Sequence, residues 1–280
     1  MTDDSLIVKL VAPEPLLRPF VRTYWTMVGP YVPMHVQHIV PNGCAGIIFY
    51  RSGDVSFKEI GGSLATLAGP TMKTVDLSRQ GRAEMIGVQF SELGFRAIFN
   101  MPVSLVADRI LPLDIIDDGG LRELQDKVLN APDLNSGIDA INAHFIGRLS
   151  CVVSDTYNLR RIAASMSVID SSFARCNTAD VADVACLSSK QLSRVFKEYV
   201  GLSPAEMIRI RRCNGLIADI RKMAKGQGST LSDISAHYGY YDLSHMSREL
   251  KSICGASARE ILSSARAEAG NYSWGLERAR

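Results

Sequence analysis

Residues 181–261 state one pattern twice, and any fold of this chain has to accommodate that repeat. Leu192-Ser-Arg194-Val-Phe196-Lys197, followed by Gly201-Leu-Ser203-Pro-Ala-Glu206, recurs 54 positions later as Met246-Ser-Arg248-Glu-Leu250-Lys251, followed by Gly255-Ala-Ser257-Ala-Arg-Glu260. Upstream, Val181-Ala182 with Cys186-Leu recurs at a spacing of 53 as Ile234-Ser235 with Gly239-Tyr, so the one-residue difference falls in the turn between the two blocks. An apolar residue followed by a small one, a tight turn, and a helix opening on Ser188 or Asp242 is the layout of a helix-turn-helix, whose second helix enters the DNA major groove. The repeat therefore predicts two such units.

Periodicity sets which side of the reading helix faces outward. Leu192, Val195 and Phe196 share the core side, leaving Ser189, Lys190, Ser193, Arg194 and Lys197 for a groove. The strings Leu187-Ser188-Ser-Lys-Gln-Leu-Ser-Arg-Val-Phe-Lys-Glu-Tyr-Val-Gly-Leu-Ser-Pro204, Arg209-Ile-Arg-Arg212 and Gly239-Tyr-Tyr-Asp-Leu-Ser-His-Met-Ser-Arg-Glu-Leu-Lys251 are more specific than a generic helix-turn-helix. They resemble the AraC/XylS family of transcription regulators, strongly over roughly residues 155–265 and weakly over the first 115.

That resemblance implies a sequence-specific regulator binding double-stranded DNA. It places base contacts on Lys190, Ser193 and Arg194 of the first unit and on Leu243, Ser244, Ser247 and Arg248 of the second. Arg194 suits guanine O6 and N7, whereas Leu243 can touch only a thymine methyl. Ser189, Lys197, Arg209, Arg211, Arg212 and Lys251 are read as phosphate contacts that set register. The chain departs from the family pattern in four places: Cys186 stands where Gly is usual, Ser235 where Ala is usual, Ala258 where the first unit has Pro204, and Gly215 lies inside the joining helix. Cys186 implies a turn that is either less tight or strained, and its thiol is read as buried and structural.

Charge separates the halves. Residues 1–154 hold 13 Lys/Arg against 16 Asp/Glu, whereas residues 155–268 hold 16 against 12, a net +4 suited to phosphate neutralisation. The six cysteines are scattered with no C-x-x-C pair, which argues for a reducing compartment and against a disulfide scaffold or zinc ribbon. The start of the chain lacks a secretory pattern and no apolar run approaches about 18 residues, so a cytoplasmic protein without a membrane partner is expected.

Before the repeat, short β-like runs at Val36–Val40, Ala45–Tyr50, Val55–Ile60, Ser63–Ala68 and Glu84–Phe90 are punctuated by Gly and Pro, with Ser52-Gly53-Asp54 read as a hairpin turn. Helical patterns follow near Glu92–Asn100, at Leu121, Leu124 and Val128, and at Ile138, Ile141, Phe145 and Leu149 after an Asn135 or Ser136 cap. The last stripe either packs on the N-terminal domain or, as the resemblance implies, forms a homodimer seam. Beyond it, Ile162, Ala163, Met166 and Ile169 share one face of the next helix.

The expected fold class is α+β: an N-terminal cupin-like barrel or sandwich with flanking helices, then an all-α domain of two helix-turn-helix units. Boundaries are placed at 1–153 (barrel to about 115, helices 119–150), 154–268, and a fraying tail 269–280. The resemblance implies a small-molecule effector in the first domain, with Tyr24, Trp25, His38 and Arg51 as candidate pocket residues, and contact with RNA polymerase in the case of an activator. The alternative is a barrel that only dimerises or binds a protein partner. A cupin-type metal enzyme would need histidines converging on one strand face, but His35 and His38 are three apart and point to opposite faces. The chain is therefore read as a non-enzyme with no cofactor or metal.

Overall fold

A computed structural model describes residues 6–57, 63–116, 119–149, 156–172, 175–266 and 272–273. The N-terminal half is one antiparallel sheet: β1 (Ile7–Val11), β2 (Val21–Ile39), β3 (Gly46–Phe57), β4 (Ala65–Ala68), β5 (Val75–Phe90) and, after helix α1 (Gly94–Phe99), β6 (Ile110–Pro112). The order is β1-β2-β5-β3-β4-β6, with β7 (Tyr272–Ser273) pairing parallel to β2 at His38–Ile39. Two helices, α2 (Gly119–Leu129) and α3 (Leu134–Leu149), complete this half.

Both faces of the central strands are apolar, and each has its own cover. Ile47, Phe49, Ile86, Val88 and Phe90 face α1, α2 and α3 in one core with Phe95, Leu124, Val128 and Phe145. On the opposite face Met27, Ile48, Tyr50 and Met85 cluster with Leu77, and Ile39 and Val75 pack against them. In a straight strand Leu77 and Met85 would stand about 26 Å apart at roughly 3.3 Å per residue. They meet because β2 and β5 curl back over themselves. Register shifts between Gly29 and Val32, Val32 and His35, Tyr50 and Ser52, and Ser52 and Asp54 supply the bends, as bulges do by adding twist and a local kink.

These bends correct the expected hairpin at Ser52-Gly53-Asp54. The strand β3 runs straight through it, and Gly53 sits at φ +94 inside the bulge. A Cβ there would stand 2.3 Å from the Arg82 carbonyl oxygen, so the turn signal marks close backbone approach. The strands are also longer than the apolar runs suggested, with β2 starting at Val21 and β5 at Val75. Residues 58–60 of the expected strand Val55–Ile60 lie outside the described residues.

The stripe on α3 is corrected as well. Ile138, Ile141 and Phe145 are 3%, 0% and 0% exposed in the chain's own core, with Leu149 packed at its edge, so they are not available for a dimer seam. Its cap is Asp133, whose carboxylate accepts from Ser136 N at 2.8 Å, in place of Asn135 or Ser136. Hydrogen bonding by the Ser136 amide holds the Asp133 carboxyl below its ordinary pKa.

The C-terminal half is helical: α4 (Thr156–Ser171), α5 (Thr178–Val184), α6 (Ser189–Tyr199), α7 (Pro204–Ala224), α8 (Leu231–His237), α9 (Leu243–Cys254) and α10 (Ala258–Arg266). The helix α4 buries Ile162, Ser165, Met166 and Ile169, while Ala163 faces outward instead of inward. Residues 150–155, where the domain boundary was read, lie outside the described residues, as does most of the tail apart from β7. Among the described residues no helix is long and apolar enough to cross a membrane.

Candidate nucleic-acid interface

Two lobes, each of three helices packed with part of α7, share that helix. The first packs α4, α5, α6 and the start of α7 around Val181, Leu192, Phe196, Tyr199 and Met207. The second packs the end of α7 with α8, α9 and α10 around Leu216, Ile234, Met246, Leu250 and Ile261. The repeat is kept in local chemistry as well as in packing. Ser203 and Glu206 cap α7 reciprocally, and Ser257 and Glu260, 54 positions on, do the same for α10. The Ser257 amide and then its hydroxyl hold the Glu260 carboxyl below its ordinary pKa.

The two turns are equally alike. Leu187 N donates to Ala182 O at 3.0 Å, and Tyr240 N donates to Ser235 O at 3.0 Å, each closing the six-residue loop that ends a helix on a left-handed residue. That residue is Gly239 at φ +76 in the second unit and Cys186 at φ +52 in the first. Of the two outcomes expected for Cys186, the strained one holds: the turn is tight. The thiol is exposed, a correction to its reading as buried. Because the side chain packs against nothing that glycine would forfeit, Cys186→Gly should stabilise the chain by about 0.5–1 kcal/mol, the left-handed penalty less the entropy glycine adds to the unfolded chain. Thermal unfolding checks this, and a lower midpoint would show that the thiol has a structural role.

The helix α6 opens on Ser188, which accepts from Gln191 N while Gln191 returns to Ser188 N at 3.0 Å. Its inner face is Leu192, Val195, Phe196 and Tyr199, and its outer face exposes Ser189, Lys190, Ser193, Arg194 and Lys197. Lys190, Ser193 and Arg194 make no hydrogen bond or ion pair among the described residues. The helix α9 opens on Asp242, which accepts from His245 N at 2.6 Å. It exposes Ser244, Arg248 and Lys251, with Ser247 half-buried. Leu243 is half-buried, with its side chain packed against the edge of the second lobe's core.

Three of the expected phosphate contacts are engaged inside the protein. Arg209 pairs with Glu249 of α9 at 3.0 Å. Arg212 lies over the Tyr240 ring, 5.8 Å from its centroid. The Arg211 side chain is 10% exposed and ion-paired with Glu92 and, at 3.1 Å, with Asp170, and it donates to Asn42 O at 3.0 Å. These arginines belong to α7, the scaffold both lobes lean on, so their stems point at neighbours. Ser189, Lys197 and Lys251 remain exposed. A further exposed residue was not singled out from sequence: Tyr241, 94% exposed just before α9. The available signal was an aromatic in a turn, beside a Tyr240 that the core already uses.

The candidate pocket residues also separate. Trp25 lines a cavity on the inner face of the sheet. Tyr24 is fully buried in the opposite core and donates to Asn142 Oδ1 at 2.8 Å. His38 pairs with Asp76 at 2.7 Å, and Arg51 donates to the Ala131 and Asp133 carbonyls and pairs with Glu84. Tyr24, His38 and Arg51 do not line the cavity.

Residues 181–264 match a family model described as a Helix-turn-helix domain, and residues 9–112 match one described as a Domain of unknown function (DUF6597). Curated proteins give no match. Among solved structures, ToxT from Vibrio cholerae is similar at 12% identity and a TM-score of 0.44, over 92% of this chain and 98% of its own. ToxT with an unsaturated fatty acid bound is similar at 13% identity and a TM-score of 0.41, over 94% and 97%. CuxR, an AraC-like transcriptional activator, is similar at 13% identity and a TM-score of 0.27, over 74% and 84%. Residues 181–264, built as two capped lobes on one shared helix, therefore form a helix-turn-helix domain, the domain type of DNA-binding regulators.

Proposed function

We propose that α6 and α9 enter successive major-groove segments on one face of the DNA, with a signal received by the N-terminal sheet domain, residues 1–153, and DNA held by residues 154–268. Base edges are read by Lys190, Ser193 and Arg194, and by Ser244, Ser247 and Arg248. Ser189, Lys197, Lys251 and the Tyr241 hydroxyl bond phosphates and set register. The observation that carries this reading is the outer face of α6: Lys190, Ser193 and Arg194 stand in solvent without a partner among the described residues, opposite a buried apolar face. A surface helix used only for packing would have no need of an unpaired cationic stripe at this spacing.

Selection of bound duplexes from a random pool gives the operator. Against it, Arg194→Ala should relax preference at one base position, a loss of about 1–3 kcal/mol in discrimination. Lys197→Ala should instead weaken binding to all sequences alike and reduce the salt slope by about 1. If both variants showed the same sequence-independent loss, the division into readers and positioners would be wrong. If the full chain bound no duplex in a salt-dependent way, the whole proposal would fail.

A further inference from the structure

Gly215 stands in the middle of α7, where a glycine weakens the helix and brings no side chain to the core. The Tyr238 ring fills the space this leaves. A Cβ at residue 215 would stand 2.5 Å from the Tyr238 hydroxyl and 2.9 Å from its Cε1. The ring has little room to step aside, being 4% exposed in the second lobe's core with its hydroxyl donating to Asp219 Oδ2 at 3.1 Å. Burial, and then the Asp219 carboxylate, push the Tyr238 hydroxyl above its ordinary pKa, so it remains a donor.

Tyr238 ends α8, Gly239 turns the chain, and Tyr240 follows at 7% exposed. The Arg212 guanidinium lies over the Tyr240 ring, which also meets the His245 ring in the first turn of α9 at 5.2 Å between centroids. Further along α9, Glu249 takes Arg209 at 3.0 Å, with the Glu249 side chain 12% exposed. Positions 209, 212, 215 and 219 are spaced three, three and four apart, so they lie in one stripe along α7. That stripe touches the end of α8, the turn, and the body of α9. In the first lobe Ala185 and Leu187 stand at the positions that match Tyr238 and Tyr240 at the repeat's spacing of 53.

We propose that the stripe Arg209–Arg212–Gly215–Asp219 is a seat that fixes how α9 is turned against α7, so that Gly215 and Tyr238 are positioning residues for the second reading helix and set which base edges it meets without touching DNA. The part that concerns bases rests on the DNA-binding reading above. Ser244, Ser247, Arg248 and the neighbouring Tyr241 all leave from α9 or its entry, and a tilt of that helix moves them together.

The test uses the full chain and duplexes selected from a random pool, with the positions read by each helix assigned through Arg194→Ala and Arg248→Ala. Gly215→Ala, a change that helix propensity alone favours, should relax preference at the α9 positions by at least about fivefold, the lower end for one bidentate base contact. Preference at the α6 positions should stay as it is. Adding Tyr238→Leu to Gly215→Ala takes away the ring that the new methyl meets, and should restore what was lost. Tyr238→Phe keeps the ring on Gly215 and removes only the bond to Asp219. Its loss should be smaller and confined to the same positions, and it serves as the test should Gly215→Ala fail to fold.

Amide hydrogen exchange without DNA reads the seat directly. The Tyr240 amide, bonded to Ser235 O, and the His245 amide, bonded to Asp242, should exchange about tenfold faster in Gly215→Ala and return toward wild type in the double variant. Unchanged exchange at both amides would overturn the seat. Equal loss over both halves of the operator, or none, would overturn the role in base choice. Failure of Tyr238→Leu to restore either readout would show that the contact with Gly215 is not the cause. A wild-type chain that selects no duplex sinks the DNA-binding reading, while exchange still decides the seat.

Discussion

Phe196→Ala should destabilise the chain by about 3–5 kcal/mol, the range for removing a large aromatic from a closed core. The ring is 0% exposed among Val181, Leu192, Tyr199, Leu202 and Met207, residues from α5, α6, the following turn and α7, so few neighbours are free to collapse into the space. Phe196 is also what fixes the rotation of α6. When it goes, Lys190, Ser193 and Arg194 lose their common direction, and duplex binding should fall further than in Arg194→Ala, for all sequences. Urea unfolding followed by circular dichroism, with duplex titration alongside, measures both. A loss under about 1 kcal/mol would mean that α6 is not seated by this contact.

Arg211→Leu should cost about 3 kcal/mol, at the lower end for breaking a buried charge pair. Arg211 and Glu92 are 10% and 9% exposed, and Arg22 also reaches Glu92, at 2.6 Å. Losing Arg211 therefore leaves Glu92 with Arg22 and the weak Cys44 Sγ donor, removes the Arg211 pair from Asp170 and leaves Asn42 O without its guanidinium donor. Leucine at both 211 and 92 should recover much of the loss, because hydrophobic replacement removes the uncompensated charge along with the pair. Additive single and double changes in the urea midpoint would show that the two side chains do not depend on each other. The pair joins the sheet domain to the helix shared by both lobes, so the single variant should also unfold over a broader range.

The all-α half was readable because its information is local. A capping Ser or Thr, an acid or amide three residues later, and an apolar stripe decide each helix within about a dozen residues, and the repeat states the arrangement twice. The sheet half was harder because its decisive contacts are remote in sequence. No pattern near Ser52-Gly53-Asp54 says that Arg82 O lies against Gly53. No window around Arg211 shows that Glu92 awaits it, so a basic residue on a DNA-binding domain read as a phosphate contact. Tyr24 and Trp25 both suit a pocket by residue type, yet neighbours on a strand face opposite ways. One entered the α3-facing core, and the other lines the cavity.

The helix α7 has 21 residues, so at about 1.5 Å per residue it measures roughly 31 Å, close to one repeat of B-form DNA at about 34 Å. A continuous rod of that length works as a ruler in both distance and angle. One inserted residue would advance the far lobe by only about 1.5 Å but swing it by about 100° around the rod axis, so the proposed fit to two successive grooves is far more tolerant of small errors of length than of errors of phase.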